Sequence, residues 1–383
     1  MSARGRPSER RQSEAGSVRI GISSCLLGQK VRYDGGHKRD RFATDVLEPF
    51  VEWVPLCPEI EIGLGIPRPT IRLERRPEGG ERLVMPSTGE DLTRRMADWA
   101  ESRVGSLLEL DLCGYILKKD SPSCGMERVK VYDSNGVPAR DGTGVFAEVL
   151  LRRAPHLPVE EEGRLNDPRL RENFIARVFA CRRWKQLTKA GLTRAGLMAF
   201  HARHKYLCMA RNQAGMRRLG RLLGSAGKAD SVPELARAYL DEFSAVMRRP
   251  PSRKGHTNAL QHLAGYVSDE LDPADRAELT TAIDDYRQGL LPLIVPLTLV
   301  RHHARRQDQR YLLEQAYLSP HPHELMLLNH VERCSACGLG WLRSVGASFD
   351  ETAEAPAVKL GVPFSERSAV AYTHLTLPSR VSG

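Results

Sequence analysis

The chain has 383 residues, which is enough for two ordinary domains, each with its own hydrophobic core. Its longest apolar run, residues 290–300, is about half as long as a bilayer crossing requires and is interrupted by two prolines, so we predict no membrane span. Residues 1–17 are basic and polar without an apolar segment, so we do not expect them to be a secretory signal. We expect a disordered arm there and a cytoplasmic protein.

The net charge of +10 is concentrated in one part of the chain. Residues 169–254 contain 20 Lys or Arg against 5 Asp or Glu, whereas the remainder is close to balanced. A basic field confined to one region can attract a polyanion, and nucleic acid is the commonest one in the cytoplasm. A solvated, arginine-rich helical surface explains the same charge equally well.

The first part of the chain, residues 18–160, alternates strands with loops and helices, which predicts an α/β domain with an open, mostly parallel sheet. Three of its strands are predicted at residues 18–25, 51–59 and 112–119. A cysteine lies at or just beyond the end of each strand: Cys25, Cys57 and Cys124. Loops leaving neighbouring parallel strands converge at the carboxyl edge of such a sheet. We therefore expect these three cysteines to meet.

The sequence becomes helical after about residue 160. A charged connection leads to Asp167 and Pro168, a pair typical of a helix start. Residues 232–249 place apolar side chains along one face at helical spacing. We predict an all-α domain over residues 161–331, and a disordered or non-native tail over residues 332–383, where the periodicity stops.

The other cysteines are weaker candidates for a site. Cys113 lies inside an apolar run and is predicted to pack as a small hydrophobic residue. Cys181 and Cys208 lie on helical segments, with no cysteine at ligand spacing, and are predicted to be core residues. A lone C-x-x-C near the end of the chain is weak evidence for zinc; it consists of Cys334 and Cys337, downstream of His323 and His330.

Three sequence blocks carry the candidate cysteines: S-C-L-L-G-Q-K-V-R-Y-D-G-G, C-P-E and L-K-K-D-S-P-S-C-G. In order and spacing, over residues 18–158, they resemble the thiouracil desulfidases of the TudS type. That resemblance implies a [4Fe-4S] cluster on Cys25, Cys57 and Cys124, and active-site roles for Glu59 and Ser121.

The helical part carries a second resemblance. F-H-A-R-H-K-Y-L at residues 200–207, K-G-H-T-N-A-L-Q-H-L-A-G-Y at residues 254–266 and two later blocks ending at His330 look like the helical YbgA-like domain. Proteins that join these two domains resemble the RudS-type desulfidases, which act on 4-thiouridine in transfer RNA. The resemblance implies tRNA as the partner of the basic helical domain, in agreement with the charge asymmetry.

The chemistry of the residues is compatible with this resemblance. Three thiolate ligands leave one iron of a four-iron cluster open, and an open iron can take a thiocarbonyl sulfur. Glu59 follows Cys57 by two residues and can move a proton, the alternative being an exposed or capping carboxylate. Ser121 can orient the base or a water molecule, the alternative being a turn residue.

Further residues are placed near the same site by the sequence. Lys118 and Lys119 are candidates for contact with a substrate phosphate, although a lysine after a strand more often faces solvent. Arg32, Tyr33 and Asp34 form a loop that we expect to line the site.

We therefore predict a two-domain enzyme that converts 4-thiouridine in tRNA to uridine by hydrolytic, non-redox desulfuration. Three alternatives stay open: a desulfidase of free thiolated bases, an iron-sulfur regulator that binds nucleic acid without turnover, and a zinc-structured RNA-binding protein. The basic helical domain favours RNA over a free base, and Glu59 favours catalysis over sensing.

Overall fold

The computed structural model describes residues 18–225, 227 and 231–331. The predicted N-terminal arm and the predicted tail, with Cys334 and Cys337, lie outside the described residues. The strands in chain order are β1 (Val18–Ser23), β2 (Val51–Leu56), β3 (Arg72–Arg75), β4 (Glu81–Met85), β5 (Glu90–Asp91), β6 (Gly114–Leu117), β7 (Val129–Tyr132), β8 (Pro138–Gly142) and β9 (Val159–Glu161).

The helices divide between the two halves of the described chain. The first half holds α1 (Pro58–Glu61), α2 (Thr93–Glu109) and α3 (Val145–Arg153). The second half holds α4 (Pro168–Lys189), α5 (Arg194–Arg211), α6 (Gln213–Ser225), α7 (Val232–Arg248), α8 (Arg253–Ala264), α9 (Pro273–Gln288), α10 (Ile294–Arg306) and α11 (Arg310–Leu313). The predicted fold class, α/β followed by all-α, is confirmed. Among the described residues, no helix is both long enough and apolar enough to cross a membrane.

A parallel sheet of four strands, in the order β2-β1-β6-β9, organises the first half. β1 pairs in parallel with β2 from Val18 opposite Val51 to Ser23 opposite Leu56. On its other side β1 pairs with β6, and β6 pairs with β9. The carboxyl ends of β1, β2 and β6 therefore lie side by side at one edge of the sheet.

The two faces of this sheet are buried against different helices. Ile20, Ile22 and Ile116 face a core that includes Phe174 and Val178 of α4. The alternate residues of β6 face α2 and α3 in a second core. Gly21 permits this packing, because a Cβ atom there would lie 2.2 Å from Cδ2 of Tyr115.

A second sheet, which the sequence did not predict, has five strands in the order β5-β4-β3-β7-β8. β3 pairs in parallel with β7, whereas the other pairs are antiparallel. Its core includes Leu73, Leu83 and Val131. These strands are two to five residues long and rich in charged residues, so their alternation gives a weak signal.

α4 connects the two halves. Asp167 caps its start by accepting hydrogen bonds from the backbone N–H groups of Arg169 and Leu170 at 2.8 and 3.0 Å. Its first half packs on the parallel sheet, and Trp184 near its end belongs to the core of the helical half. The predicted boundary at residue 160 stays a prediction, and the helix that follows it contributes to both cores.

Candidate active site

The three predicted cysteines line one cavity of about 460 Å³ at the carboxyl edge of the parallel sheet. Cys25 follows β1 by two residues and Cys57 directly follows β2. Cys124 lies in the loop between β6 and β7. The structure thus brings together three thiols that are far apart in the sequence, as the strand order requires.

These thiols are held in a poorly solvated environment. Burial raises the pKa of Cys25 to about 11, and the neighbouring Cys57 contributes to that rise. Burial also raises the pKa of Cys57, and it raises the pKa of Cys124 well above its ordinary value, with further contributions from Cys57 and Glu59. A cationic group is therefore needed to convert all three thiols to thiolates.

The donors around the cavity are thiols, the ligand type that holds iron-sulfur clusters. In the part of the chain that the structure describes, no three His, Cys, Asp or Glu side chains lie close enough to hold one metal ion. A single zinc ion would draw thiolates to about 2.3 Å from one centre, whereas an iron-sulfur cluster binds each cysteine through a different iron. The three thiols that line this cavity have the chemistry that either group requires.

Both oxygens of Glu59 are held by hydrogen bonds at the wall of this cavity. Oε1 accepts from the Ser123 hydroxyl at 2.8 Å, and Oε2 accepts from Nε of Arg68 at 3.0 Å. The Arg68 side chain is only 2% exposed and that of Glu59 15%, so the ion pair is largely shielded from water. Glu59 is therefore not an exposed carboxylate, which was one of the alternatives that the sequence left open.

Ser121 lies at the same wall and holds the loop before Cys124. Its hydroxyl oxygen accepts from the backbone N–H of Cys124 at 3.1 Å and lies 3.0 Å from the hydroxyl oxygen of Ser123. Ser121 is therefore a turn residue, as the alternative proposed, and also the outer member of a chain that runs through Ser123 to Glu59. The two interpretations of Ser121 are compatible.

Comparison with known proteins gives the relationships of both halves. A family model described as 2-thiouracil desulfurase matches residues 20–162, and one described as a protein of unknown function, DUF1722, matches residues 205–322. The chain is 31% identical over 153 residues to the uncharacterized protein YbbK of Bacillus subtilis (strain 168), covering 38% of this chain and 97% of YbbK. The chain belongs to the 2-thiouracil desulfurase family.

Two further relatives complete the comparison. The uncharacterized protein YbgA of Escherichia coli (strain K12) is 28% identical over 163 residues, covering 43% of this chain and 96% of YbgA. A solved structure named [4Fe-4S]-dependent thiouracil desulfidase TudS is 35% identical and covers 39% of this chain and 94% of that chain, with a TM-score of 0.32. The predicted join of a desulfidase domain to a YbgA-like region is confirmed.

Sequence reasoning missed three polar residues of this desulfurase-family site. Ser123 is fully buried and adjoins Cys124, so the D-S-P-S-C-G block was the available signal. Ser23 is also buried, and its hydroxyl hydrogen-bonds to the thiol of Cys124. Arg68 lies in a stretch without periodicity, between α1 and β3, and no local pattern distinguishes it from a surface arginine.

The two lysines after β6 differ in their surroundings. Lys118 is mostly buried, and its ammonium group forms an ion pair with Glu162 at 2.5 Å. The side chain of Lys119 is half exposed. Both line the cavity, and the charge of Lys118 lowers the pKa of Cys25 against the effect of burial.

The predicted loop lies over the site only in part. Arg32 and Tyr33 line the cavity, and the backbone carbonyl of Tyr33 accepts from the backbone N–H of Arg68 at 2.9 Å. Asp34 is not among the lining residues; its carboxylate accepts from the backbone N–H of Gly36 at 2.9 Å. This hydrogen bond from Gly36 to Asp34 lies within the local turn.

The remaining described cysteines lie away from the cavity. Cys113 is buried in a hydrophobic core, as predicted, and its sulfur accepts a hydrogen bond from the thiol of Cys181. That contact was not visible in the sequence, because α4 carries Cys181 onto the sheet. Cys208 is fully buried in the helical core, where burial raises its pKa to about 12.

Proposed function

We propose that this chain removes the sulfur of 4-thiouridine in tRNA, with a [4Fe-4S] cluster held by Cys25, Cys57 and Cys124. One observation carries the proposal: the buried thiol of Cys124, the partly buried thiols of Cys25 and Cys57 and the Glu59 carboxylate line a single cavity in a member of the 2-thiouracil desulfurase family. The products are uridine and hydrogen sulfide. The C=S bond is replaced by C=O at the expense of one water molecule, so no electrons are exchanged.

The residues around the thiols support their role as ligands. When bound, a cluster with three protein thiolates supplies one iron that can act as a Lewis acid toward a thiocarbonyl sulfur. Lys118 and Arg32 lie close enough to Cys25 for their charges to favour its thiolate. Ser23 favours the thiolate of Cys124 through its hydroxyl group, by hydrogen bonding and not by charge.

Glu59 is the residue proposed to move the proton. Arg68 donates to Oε2 through both Nε and Nη2, and Ser123 donates once to Oε1. Oε1 therefore keeps a lone pair that can accept a proton from the water that attacks the thiolated carbon. The carboxyl group then returns that proton to the departing sulfide. Because both oxygens are held, the carboxyl group is oriented before substrate enters.

The helical half offers exposed cations for an RNA backbone. Arg203, Arg217 and Arg221 are exposed, and the ion pairs found among the described residues include none of them. Other arginines of the basic region are structural: Arg183 donates to the carbonyl of Ser319, and buried Arg211 to Asn173. The surface charge is thus smaller than the sequence count, and it supports electrostatic, sequence-independent contacts to phosphate.

The test is anaerobic incubation of the iron-loaded chain with tRNA that contains 4-thiouridine, following the loss of near-ultraviolet thiouridine absorbance. Free 2-thiouracil is tested in parallel, and Cys25→Ala and Glu59→Gln are the comparison variants. We expect loss of 4-thiouridine with the wild type, none with Cys25→Ala, and a much slower loss with Glu59→Gln at full iron content.

Other outcomes decide between the alternatives. Consumption of 2-thiouracil but not of 4-thiouridine would make the substrate assignment wrong and leave the chemistry in place. An iron-loaded chain that binds tRNA and consumes neither compound would be a regulator.

A further inference from the structure

A second cavity, of about 230 Å³, lies at the opposite edge of the parallel sheet from the cysteines. Its wall contains Leu112, just before β6, and Pro158, just before β9. The rest comes from α4, α7, the ends of α2 and α3, and residues 154–157. We call it the strand-start cavity. The four residues of β6, at about 3.3 Å each, separate it from the cysteine cavity, so the two do not share a site.

The charged side chains that line the strand-start cavity are all basic. Its described lining residues include no Asp or Glu, whereas five basic side chains reach it: Arg153, His156, Arg177, Lys185 and Arg248. Three of these have acidic partners: Arg153 pairs with Glu101, Lys185 with Asp111 at 3.1 Å, and His156 with Asp241. Arg177 and the second ring nitrogen of His156 decide what the cavity can bind.

Arg177 and His156 present unused donors or acceptors. Arg177, in the middle of α4, makes no hydrogen bond or ion pair with another residue of ranges 18–225, 227 and 231–331. His156 pairs with Asp241 through Nε2 at 3.1 Å, while its Nδ1 is buried and finds no partner among the same residues. A buried polar atom without a partner, such as this Nδ1, is rare, because leaving it unpaired costs free energy.

The environment of Arg177 points to an anion. Burial lowers the pKa of Arg177 to about 10, and the charges of Arg248 and Arg211 act in the same direction. Glu160 opposes that shift without forming an ion pair with Arg177. A desolvated cation that lacks a direct counter-ion is stabilised by an anion bound next to it.

The rest of the wall is apolar. Leu157, Phe243 and Met247 line the strand-start cavity and are otherwise buried in the two hydrophobic cores. A hydrated inorganic ion would gain nothing from these side chains, whereas a molecule with an apolar body would bury surface against them. The volume suits a ligand smaller than the usual drug-sized molecule.

We propose that the strand-start cavity binds a small organic anion, with its carboxylate or phosphate group on Arg177 and His156 and its apolar body against Leu157, Phe243 and Met247. This site is separate from the desulfuration chemistry and from Cys25, Cys57 and Cys124. It lies where α4 and α7 meet the sheet, so a bound anion also contacts both halves of the protein.

The test is isothermal titration calorimetry on the full chain with benzoate and phenyl phosphate, which share a ring and differ in the anionic group. Benzamide lacks the charge and inorganic phosphate lacks the ring, so they are the comparison ligands. We expect one or both ring-bearing anions to bind, and each comparison ligand to bind at least about tenfold more weakly. The preferred anion identifies the head group that the cavity takes.

Matched variants locate the binding. Arg177→Met removes the unpaired cation, and Arg182→Met removes a cation of the same helix that does not line the cavity. We expect Arg177→Met to weaken binding by about tenfold or more and Arg182→Met to leave it unchanged. Should Arg177→Met fail to fold, Ser244→Phe fills the cavity without removing a charge and is expected to abolish binding.

Three results would overturn the proposal. They are no binding of either ring-bearing anion, equal affinity for benzamide and benzoate, and unchanged affinity in both Arg177→Met and Ser244→Phe. None of them depends on the presence of iron or of thiolated RNA, so they leave the proposed function untouched.

Discussion

Arg68 joins the candidate catalytic carboxylate to the loop over the cysteines. Its guanidinium group donates to Glu59 and, through Nη1, to the backbone carbonyls of Val31 and Gly65, each at 3.0 Å. The side chain is almost entirely buried. Removing one partner of a buried ion pair leaves the other charge uncompensated, and this cost exceeds what the intact pair contributes.

Replacement of Arg68 by methionine is therefore expected to lower the free energy of unfolding by about 3 kcal/mol. Arg75→Met is the matched control, because Arg75 pairs with Asp141 at the surface with both side chains about half exposed. That change is expected to cost less than about 1 kcal/mol. Urea denaturation of the two variants measures both values. Equal decreases in the free energy of unfolding would show that the Arg68–Glu59 pair is no better shielded from water than the Arg75–Asp141 pair.

Ser123 is expected to act through Glu59, because its hydroxyl donates to Oε1 of that residue. Ser123→Ala should lower the rate of desulfuration by about tenfold or more at unchanged iron content, since one of the two groups that orient the carboxylate is lost. Ser106→Ala, on the exposed side of α2, is the control. A normal rate with Ser123→Ala in the iron-loaded chain would exclude a positioning role for this hydroxyl.

At the scale of elements, the packing of β1 against β6 requires a residue without a side chain at Gly21. A Cβ atom at Gly21 would meet the ring of Tyr115 from the adjacent strand β6. The ring is fully buried among α2 and α3 residues and has no room to move aside. The path of β1 toward Cys25 thus depends on this contact.

Gly21→Ala is expected to destabilise the protein by about 1–3 kcal/mol, the usual cost of overpacking a core. Gly105→Ala is expected to change the stability in the opposite direction. Gly105 lies within α2, where a Cβ atom would meet nothing within 4 Å. Alanine there should stabilise by about 0.5–1 kcal/mol, since glycine loses more conformational freedom in a helix. Thermal unfolding of the two variants gives the signs directly.

For the whole molecule, several buried histidines make stability depend on pH. Burial lowers the pKa of His204 to about 3, that of His256 to about 3 and that of His321 to about 4. The unfolded chain therefore takes up protons at these histidines below about pH 6.5, while the folded chain does not. The contribution of these histidines to stability is fully present above about pH 6.5 and is lost as the pH falls toward about 3.

As the pH falls from 7 to 5, each of these histidines is expected to lower the free energy of unfolding by about 2 kcal/mol. His204→Gln should remove one such contribution and make the dependence shallower, whereas replacement of the exposed His302 should not. Urea denaturation at a series of pH values measures the slope. An unchanged slope in His204→Gln would mean that His204 takes up its proton in the folded state.

RNA binding also belongs to the whole molecule, because it depends on the summed surface charge. Arg217 and Arg221 lie one turn apart on α6 without described ion pairs, and Arg218 between them pairs with Glu242 at 2.7 Å. Replacing the first two with glutamine should reduce the slope of log K against log salt concentration by about 1–2. Arg218→Gln should change it less, and a larger effect from Arg218 would place the RNA elsewhere.

The sequence by itself determined the features that rest on local pattern. The strands that lead to Cys25 and Cys57, the start of α4 at Pro168 and the amphipathic α7 could all be predicted, because side-chain periodicity and capping residues act over a few positions. The meeting of the three cysteines at one edge of the sheet could also be predicted, since the α/β pattern indicates parallel strands whose carboxyl ends lie together.

Only the tertiary structure decided the rest. The second sheet pairs short, charged strands from distant parts of the chain, β3 with β7, and no local signal specifies such a pairing. Arg68 and Arg177 have the sequence context of surface arginines, and it is the packing of other elements around them that removes their water. Burial and partner choice are properties of the assembled fold, and they separate the arginines that hold the site from those that face solvent.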